Sequence, residues 1–303
     1  MSEMQSIISG TVIPKDLAGV DGLETGFRPP TSNETRLLIT GSPGAGKSTL
    51  LNSNKSLLMI DVERGGRTVA DPAAMRFSAP VNADPVAAAQ VYRNFVGQLI
   101  ARKLAGKNDV LMIGFDSADE LIALFQRALC IQAGVTDVGD IGGGHGKGYF
   151  QVRDDFAAML DRIHAAGLGW AVIAHTLVKT VKVGEEERQV SSLAISDSYK
   201  SMLIRKCEHF LFVESGVELV TPPPIVRVVN GKRHEKPQPP EPRPARFLKT
   251  APGGIWHGAE ATELKIRVPL PDRIKLPQRG GFETFSKAYD AAVVKLMETS
   301  NVE

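Results

Sequence analysis

Arg36–Leu51 reads RLLITGSPGAGKSTLL, an apolar run that passes directly into a loop of glycines closed by a lysine and a serine. Arg36–Thr40 shows no polar alternation, as expected of a strand buried on both faces. Gly41-Ser42-Pro43-Gly44-Ala45-Gly46-Lys47-Ser48 then fits the pattern G-x-x-x-x-G-K-[ST]. Glycines let such a loop curl until successive backbone N–H groups face phosphate oxygens. Lys47 is expected to reach the β- and γ-phosphates and the Ser48 hydroxyl to ligate Mg²⁺, while Thr49 continues into a helix whose N-terminus adds positive potential. The stretch predicts a nucleotide site at the end of a strand, and with it an α/β fold.

Working outward, Leu57–Asp61, Val110–Phe115, Trp170–Ala174 and Phe210–Val213 are further short apolar runs, separated by longer amphipathic stretches. That alternation predicts a mostly parallel sheet with helices on both faces. Asp84–Pro85 reads as an N-cap and a first helical residue, with Val86, Val91, Phe95, Leu99 and Leu104 following at helical spacing. Tyr149–Ala166 is a second helix stopped by Gly167, and Glu283–Met297 a final amphipathic one. The composition changes after Val220: residues 221–244 hold eight prolines. Ile225–Val229 followed by Asn230–Gly231 predicts a hairpin, and Pro237–Pro244 a loop or linker. The expected organisation is an N-terminal segment at 1–35, a nucleotide-binding core at 36–220, and a proline-rich, basic extension at 221–303 that adds strands to the core.

Composition narrows the function classes. The 303 residues are 43% hydrophobic and 23% charged, enough apolar material for a sizeable core. Lys plus Arg is 36 against 34 for Asp plus Glu, a net +2, so any basic site must be local. Cys130 and Cys207 form no disulfide framework and no metal-ligand pattern, which suits a reducing cytoplasm. Met1–Gly10 lacks the features of a signal peptide, and no apolar run is long enough to span a bilayer. A cytoplasmic protein without a membrane partner is expected.

Three more positions are candidates for chemistry. Val110–Asp116 is an apolar strand ending in an acid; behind a phosphate loop, a carboxylate there orients Mg²⁺, although Asp116 would serve equally as a helix N-cap. Leu58–Glu63 ends in two acids. If its strand lies beside the phosphate-loop strand, Glu63 comes near the γ-phosphate, where a carboxylate can polarise an attacking water; the alternative is that Asp61 and Glu63 merely end a strand. His175 follows Trp170–Ala174 at the same end of the sheet, where it can contact the γ-phosphate or serve the structure alone.

With these elements in this order, the chain resembles the RecA-like P-loop ATPases over about residues 30–250, and most closely their compact phage-encoded members, some of them single-strand-annealing recombinases. The resemblance makes Gly41–Thr49 the Walker A loop, Glu63 the catalytic glutamate, Asp116 the Walker B acid, and His175 the counterpart of a glutamine that couples nucleotide to DNA. It implies ATP and Mg²⁺ as ligands, single-stranded DNA as partner, a homo-oligomeric ring or filament, and a single-strand-binding protein as a further partner. Gly134–Gly148 and Thr176–Ile195 fall where that family has DNA-binding loops, which makes Lys147, Lys179 and Lys182 candidate contacts. Neither loop is net positive, whereas Ile225–Lys249 carries seven cations against two acids. Sites between subunits imply a cation from a neighbour, for which Arg246 and Lys249 are the candidates. A P-loop kinase acting on a small molecule and a non-hydrolysing ATP switch or assembly protein remain open at this stage.

Overall fold

A computed structural model describes residues 30–65, 73–143, 145–183, 186–229, 232–250 and 266–300. Ser32–Glu303 forms one compact unit. It begins with β1 (Arg36–Gly41), α1 (Lys47–Asn52), β2 (Leu57–Asp61), β3 (Met75–Phe77) and α2 (Pro85–Leu104). β4 (Met112–Asp116), α3 (Ala118–Ala133), a 3-10 turn at Val138–Asp140, α4 (Lys147–Ala165) and β5 (Gly169–Ile173) follow. Next come β6 (Thr176–Val183), β7 (Glu186–Leu193), α5 (Asp197–Lys206) and β8 (His209–Val220). The chain closes with β9 (Ile225–Val229), β10 (Lys232–Lys236), β11 (Glu241–Lys249), β12 (Arg273–Leu276) and α6 (Phe282–Ser300).

Eight of the described strands make one sheet in the order β12-β11-β8-β1-β5-β4-β2-β3. The pairs from β8 through to β3 are parallel, and β11 and β12 add an antiparallel edge. The fold is therefore the expected mostly parallel α/β sheet. Its apolar strands are explained by burial on both faces. Leu38, Leu58, Ile60, Ile113, Phe115, Trp170 and Val172 point into one core, which Tyr92, Leu121, Phe156 and Leu203 complete from α2, α3, α4 and α5. The alternate residues Leu37, Ile39, Leu57, Met59, Met112 and Ile173 point into a second core, closed by Leu50 and Leu51 of α1 and Phe285 and Tyr289 of α6. Helix starts obey local chemistry: the Asp84 carboxylate accepts from the amides of Val86 and Ala87 at 2.9 and 3.0 Å, and Pro85 occupies the first turn.

Two sequence expectations change. Pro237–Pro244 is not a loop throughout, because β11 starts at Glu241 and pairs with β8 from Glu241↔Val220 to Lys249↔Phe212. Pro242 and Pro244 are two apart, so both missing N–H groups fall on the edge away from β8, and β12 pairs only with Arg246–Lys249. The second expected DNA loop, Thr176–Ile195, is largely a hairpin, with β6 antiparallel to β7 from Thr176↔Leu193 to Val183↔Glu186. The other hairpin forms as expected: β9 pairs with β10, while Asn230–Gly231 lies outside the described residues. Among the described residues, no helix is long and apolar enough to cross a membrane.

Because α6 shares a core with α1 and the sheet, it should be integral to stability. Phe285 is 1% exposed, and Phe285→Ala is expected to cost about 3–5 kcal/mol in denaturant unfolding. A loss below about 1 kcal/mol would mean that the helix is peripheral.

Candidate nucleotide-binding site

The phosphate loop leaves β1 at Gly41, whose φ is +150° and whose added Cβ would run into the Val213 carbonyl of β8. Only glycine fits so close to the neighbouring strand. The loop ends at Gly46 in the left-handed region, φ +92°, where a Cβ would meet the Arg246 guanidinium at 2.5–2.7 Å. α1 is only six residues long, so backbone N–H groups of the loop, more than a helix dipole, supply the positive potential.

Lys47 is not the part-exposed loop-end cation that its motif position suggests. It is 7% exposed, and its Nζ donates to the carbonyls of Gly41 at 2.8 Å and Ser42 at 3.2 Å. Burial lowers its pKa, against the opposing pull of Asp116, Glu63 and Asp119. An ammonium has three donors, so this geometry leaves one to aim at a phosphate.

Ser48 Oγ donates to Asp116 Oδ2 at 2.6 Å, which brings the two predicted Mg²⁺ residues together. A hydroxyl and a carboxylate are the hard oxygen donors that Mg²⁺ takes alongside phosphate oxygens, so the residues present fit the ion. Asp116 is buried, and desolvation raises its pKa, with Glu63 and Asp61 adding repulsion while Ser48 opposes the shift. Asp61 is in register beside Asp116 on β2 and only 3% exposed, beneath the site and not on its surface.

Glu63 reaches the site by a different route from the expected one. β2 is not beside β1, since β5 and β4 lie between them. The parallel ladder carries on one residue past Asp61 instead, with Val62 N donating to the Asp116 carbonyl at 2.8 Å, and this leaves Glu63 beside the end of β4, where its Oε1 accepts from the Ser117 hydroxyl. His175, at the end of β5, sits 3.6 Å from Glu63 Oε1 through Nδ1, which also contacts Asp119 Oδ2 at 2.7 Å. Glu63, Asp119 and His175 hold possible ligand atoms within 4.8 Å of one another. That closeness follows from the hydrogen bond between His175 and Asp119. The Asp119 bond raises the pKa of His175 above its ordinary 6.5. Burial works to raise that of Asp119, but the bond and the charge of His175 overcome it and hold it below 3.8.

Lys47, Ser48, Thr49, Glu63, Asp116 and His175 line one open pocket of about 520 Å³, together with Pro43, Gly44 and Gly46 of the loop. The remaining predicted residues are elsewhere. Arg246 does not extend toward a neighbour: its guanidinium is buried behind its own phosphate loop and donates to the Ala45 and Gly46 carbonyls. Lys249 is held by Glu214 at 2.8 Å, on the opposite face of β11. Lys147 donates to the Gly142 carbonyl at 2.9 Å, Lys182 is exposed and 4.0 Å from Glu187, and the Lys179 side chain lies outside the described residues. The basic stretch is partly neutralised too, since Arg233 pairs with Glu235 and Arg243 lies 3.9 Å from Glu241. Sequence reasoning missed Ser117 and Asp119, which the first turn of α3 places beside the Asp116 strand end; their nearness to Asp116 was the available signal. It also missed Gln278 and Arg279, which line the pocket from a distant part of the chain and leave no local signal.

No curated protein matches the chain. Among solved structures, a prototypical ATPase from the type III secretion system of pathogenic bacteria is similar at 12% identity and a TM-score of 0.36, over 59% of this chain. The match spans about half of that ATPase, 52% of its length. Residues 33–246, well over half of the chain, match the family model described as AAA domain. The loop, the Ser48–Asp116 pair and that match identify a P-loop nucleotide-binding protein, and the chain belongs to the AAA domain family.

Proposed function

We propose that the protein is a Mg²⁺-dependent ATPase of the host-cell cytoplasm whose turnover is coupled to single-stranded DNA, in phage recombination or annealing, and which works as a homo-oligomer. The observation that carries the reading is the shared Gly41 carbonyl, which accepts from Lys47 Nζ at 2.8 Å and from Thr176 Oγ1 at 3.3 Å. Thr176 is the first residue of the β6–β7 hairpin, and Ala194, just past its far end, donates to the His175 carbonyl at 2.8 Å. Lys47 and the base of the hairpin therefore share one acceptor, so a shift of the Gly41 carbonyl on nucleotide binding reaches both. This link favours a coupled motor over a small-molecule kinase.

The chemistry falls to a few groups. Loop amides and Lys47 hold the β- and γ-phosphates, and Ser48 and Asp116 would hold Mg²⁺, which would neutralise negative charge on the phosphates. Glu63 orients the attacking water and takes its proton as the new O–P bond forms and the β–γ bridge breaks, releasing ADP and inorganic phosphate. Ser117 fixes the orientation of that carboxylate through its hydroxyl. His175, clamped by Asp119, presents its other ring nitrogen, Nε2, as a γ-phosphate contact.

Glu63→Gln should retain ATP affinity while slowing hydrolysis by about 10²–10⁴-fold. Lys47→Ala should slow it by about 10²–10³-fold and weaken ATP binding, in a chain whose folding is checked by circular dichroism. Phosphate release should rise several-fold on adding single-stranded oligonucleotide; a flat response would remove the DNA part of the reading and leave a nucleotide switch.

The His175–Asp119 pair predicts a pH signature. A raised His175 pKa gives stability that is complete below pH 6.5 and lost as pH climbs through the folded-state value. A depressed Asp119 pKa gives stability that is complete above pH 3.8 and lost as pH falls through its own folded-state value. An NMR titration of His175 should have its midpoint above 6.5, and Asp119→Asn should lower it. An unchanged midpoint in the variant would break the assignment of the pair.

A further inference from the structure

The segment between β12 and α6 is fastened to the phosphate loop by one side chain. Arg246 is 8% exposed. Its Nε donates to the Ala45 carbonyl at 3.2 Å and its Nη2 to the Gly46 carbonyl at 2.9 Å. Nη1 turns the other way, to the carbonyls of Pro277 and Gln278 at 3.1 Å each and Gly280 at 3.4 Å. All these acceptors are backbone carbonyls, so the planar fork of donors works as a joint between two loops. Lysine, with one compact nitrogen, cannot span both.

The far end of α1 is tied to the same segment. Ser53 Oγ donates to the Leu50 carbonyl and accepts from the Phe282 amide at 3.0 Å. Cβ atoms added at Gly280 and Gly281 would lie 3.2 Å from Ser53 and Leu50, so the backbone closes tightly on the helix. The segment thus runs along α1 from the Gly46 end to the Ser53 end.

Sheet order then assigns a direction to the pocket. His175, Asp116 and Glu63 all come from β5, β4 and β2, on one side of β1, whereas Pro277–Gly281 arrives from β11 and β12 on the other. Gln278 and Arg279 nevertheless line the same pocket as Lys47. A nucleoside triphosphate with its γ-phosphate toward Asp116 and Glu63 directs its nucleoside toward Gln278 and Arg279.

We propose that Arg246 is a positioning residue that locks the phosphate loop to Pro277–Gly281, and that this segment forms the nucleoside-side wall of the pocket, with Arg279 meeting the base or ribose. The inference rests on the reading of the pocket as an ATP site. A guanidinium suits that place because it stacks on a base and donates to ribose hydroxyls.

The test compares ATP with inorganic tripolyphosphate, which has the phosphates and no nucleoside. Affinities of the full chain for each, with Mg²⁺ at 25 °C, are measured for wild type, Arg279→Ala and Arg246→Lys, with ligand-free melting curves to show that each is folded. Arg279→Ala should weaken ATP about fivefold and leave tripolyphosphate unchanged. Arg246→Lys, folded, should weaken both by about tenfold or more, because the loop itself is displaced. Wild-type affinity for both ligands in folded Arg246→Lys overturns the positioning role. Equal losses for ATP and tripolyphosphate in Arg279→Ala, or no loss for ATP, overturn the wall. An Arg246→Lys chain that does not fold overturns the positioning role in favour of a purely structural one, and Arg279→Ala then decides the wall. A wild-type chain that binds neither ligand defeats the ATP reading itself, an outcome distinct from these.

Discussion

Everything at this site depends on holding a charged ammonium where water hardly reaches. Lys47 is 7% exposed, and an ion in that position is costly unless polar groups replace its hydration. The replacements are the carbonyls of Gly41 and Ser42, turned inward by a loop that only glycine can form at Gly41 and Gly46. Three acids, Asp116, Glu63 and Asp119, act on the same charge and oppose the effect of burial on it. Those acids would repel one another without a cation in their midst. The ammonium and the acidic rim therefore stabilise each other, and neither half is a good arrangement alone.

This mutual dependence explains the layout of the fold. The acids come from the ends of β4 and β2 and the first turn of α3, so the order of the parallel strands decides whether they meet Lys47. β5, between β1 and β4, brings His175 into the gap, and its bond to Asp119 removes one more unbalanced charge. On the other side of β1 the antiparallel pair β11 and β12 carries no acid into the pocket. It supplies Arg246 from behind the loop, where the guanidinium satisfies carbonyls that burial would otherwise leave costly.

How much of this was legible in the sequence follows from the range of each interaction. Strands such as Leu57–Asp61 are readable because both faces are buried and every residue before the terminal Asp61 is apolar, a local property. The loop was readable because its glycines, lysine and serine are contiguous. The Ser48–Asp116 contact could be inferred from a strand ending in an acid, without knowing the strand order. Glu63 lines the pocket, but not through the strand adjacency that the sequence suggests, because adjacency in a sheet is decided by helix crossovers and not by proximity in the chain. Arg246 was misread for a similar reason. Its partners Ala45 and Gly46 are 201 and 200 residues away, and an arginine that faces a loop of its own chain looks the same in sequence as one that faces a neighbour.

The prolines of β11 have a consequence for association. Beyond the residues that β12 covers, β11 runs as an outer strand against β8, and the cross-strand neighbours Val217 and Leu219 are 65% and 70% exposed. An uncovered outer strand with apolar neighbours of this kind is ordinarily a template on which another chain can add a strand and begin to aggregate. Pro242 and Pro244 leave that rim without the amide donors that such a strand would need. A second copy that approached the β11 rim at Pro242 and Pro244 would meet carbonyl acceptors and no amide donors, so its strand would gain only half of the usual ladder there.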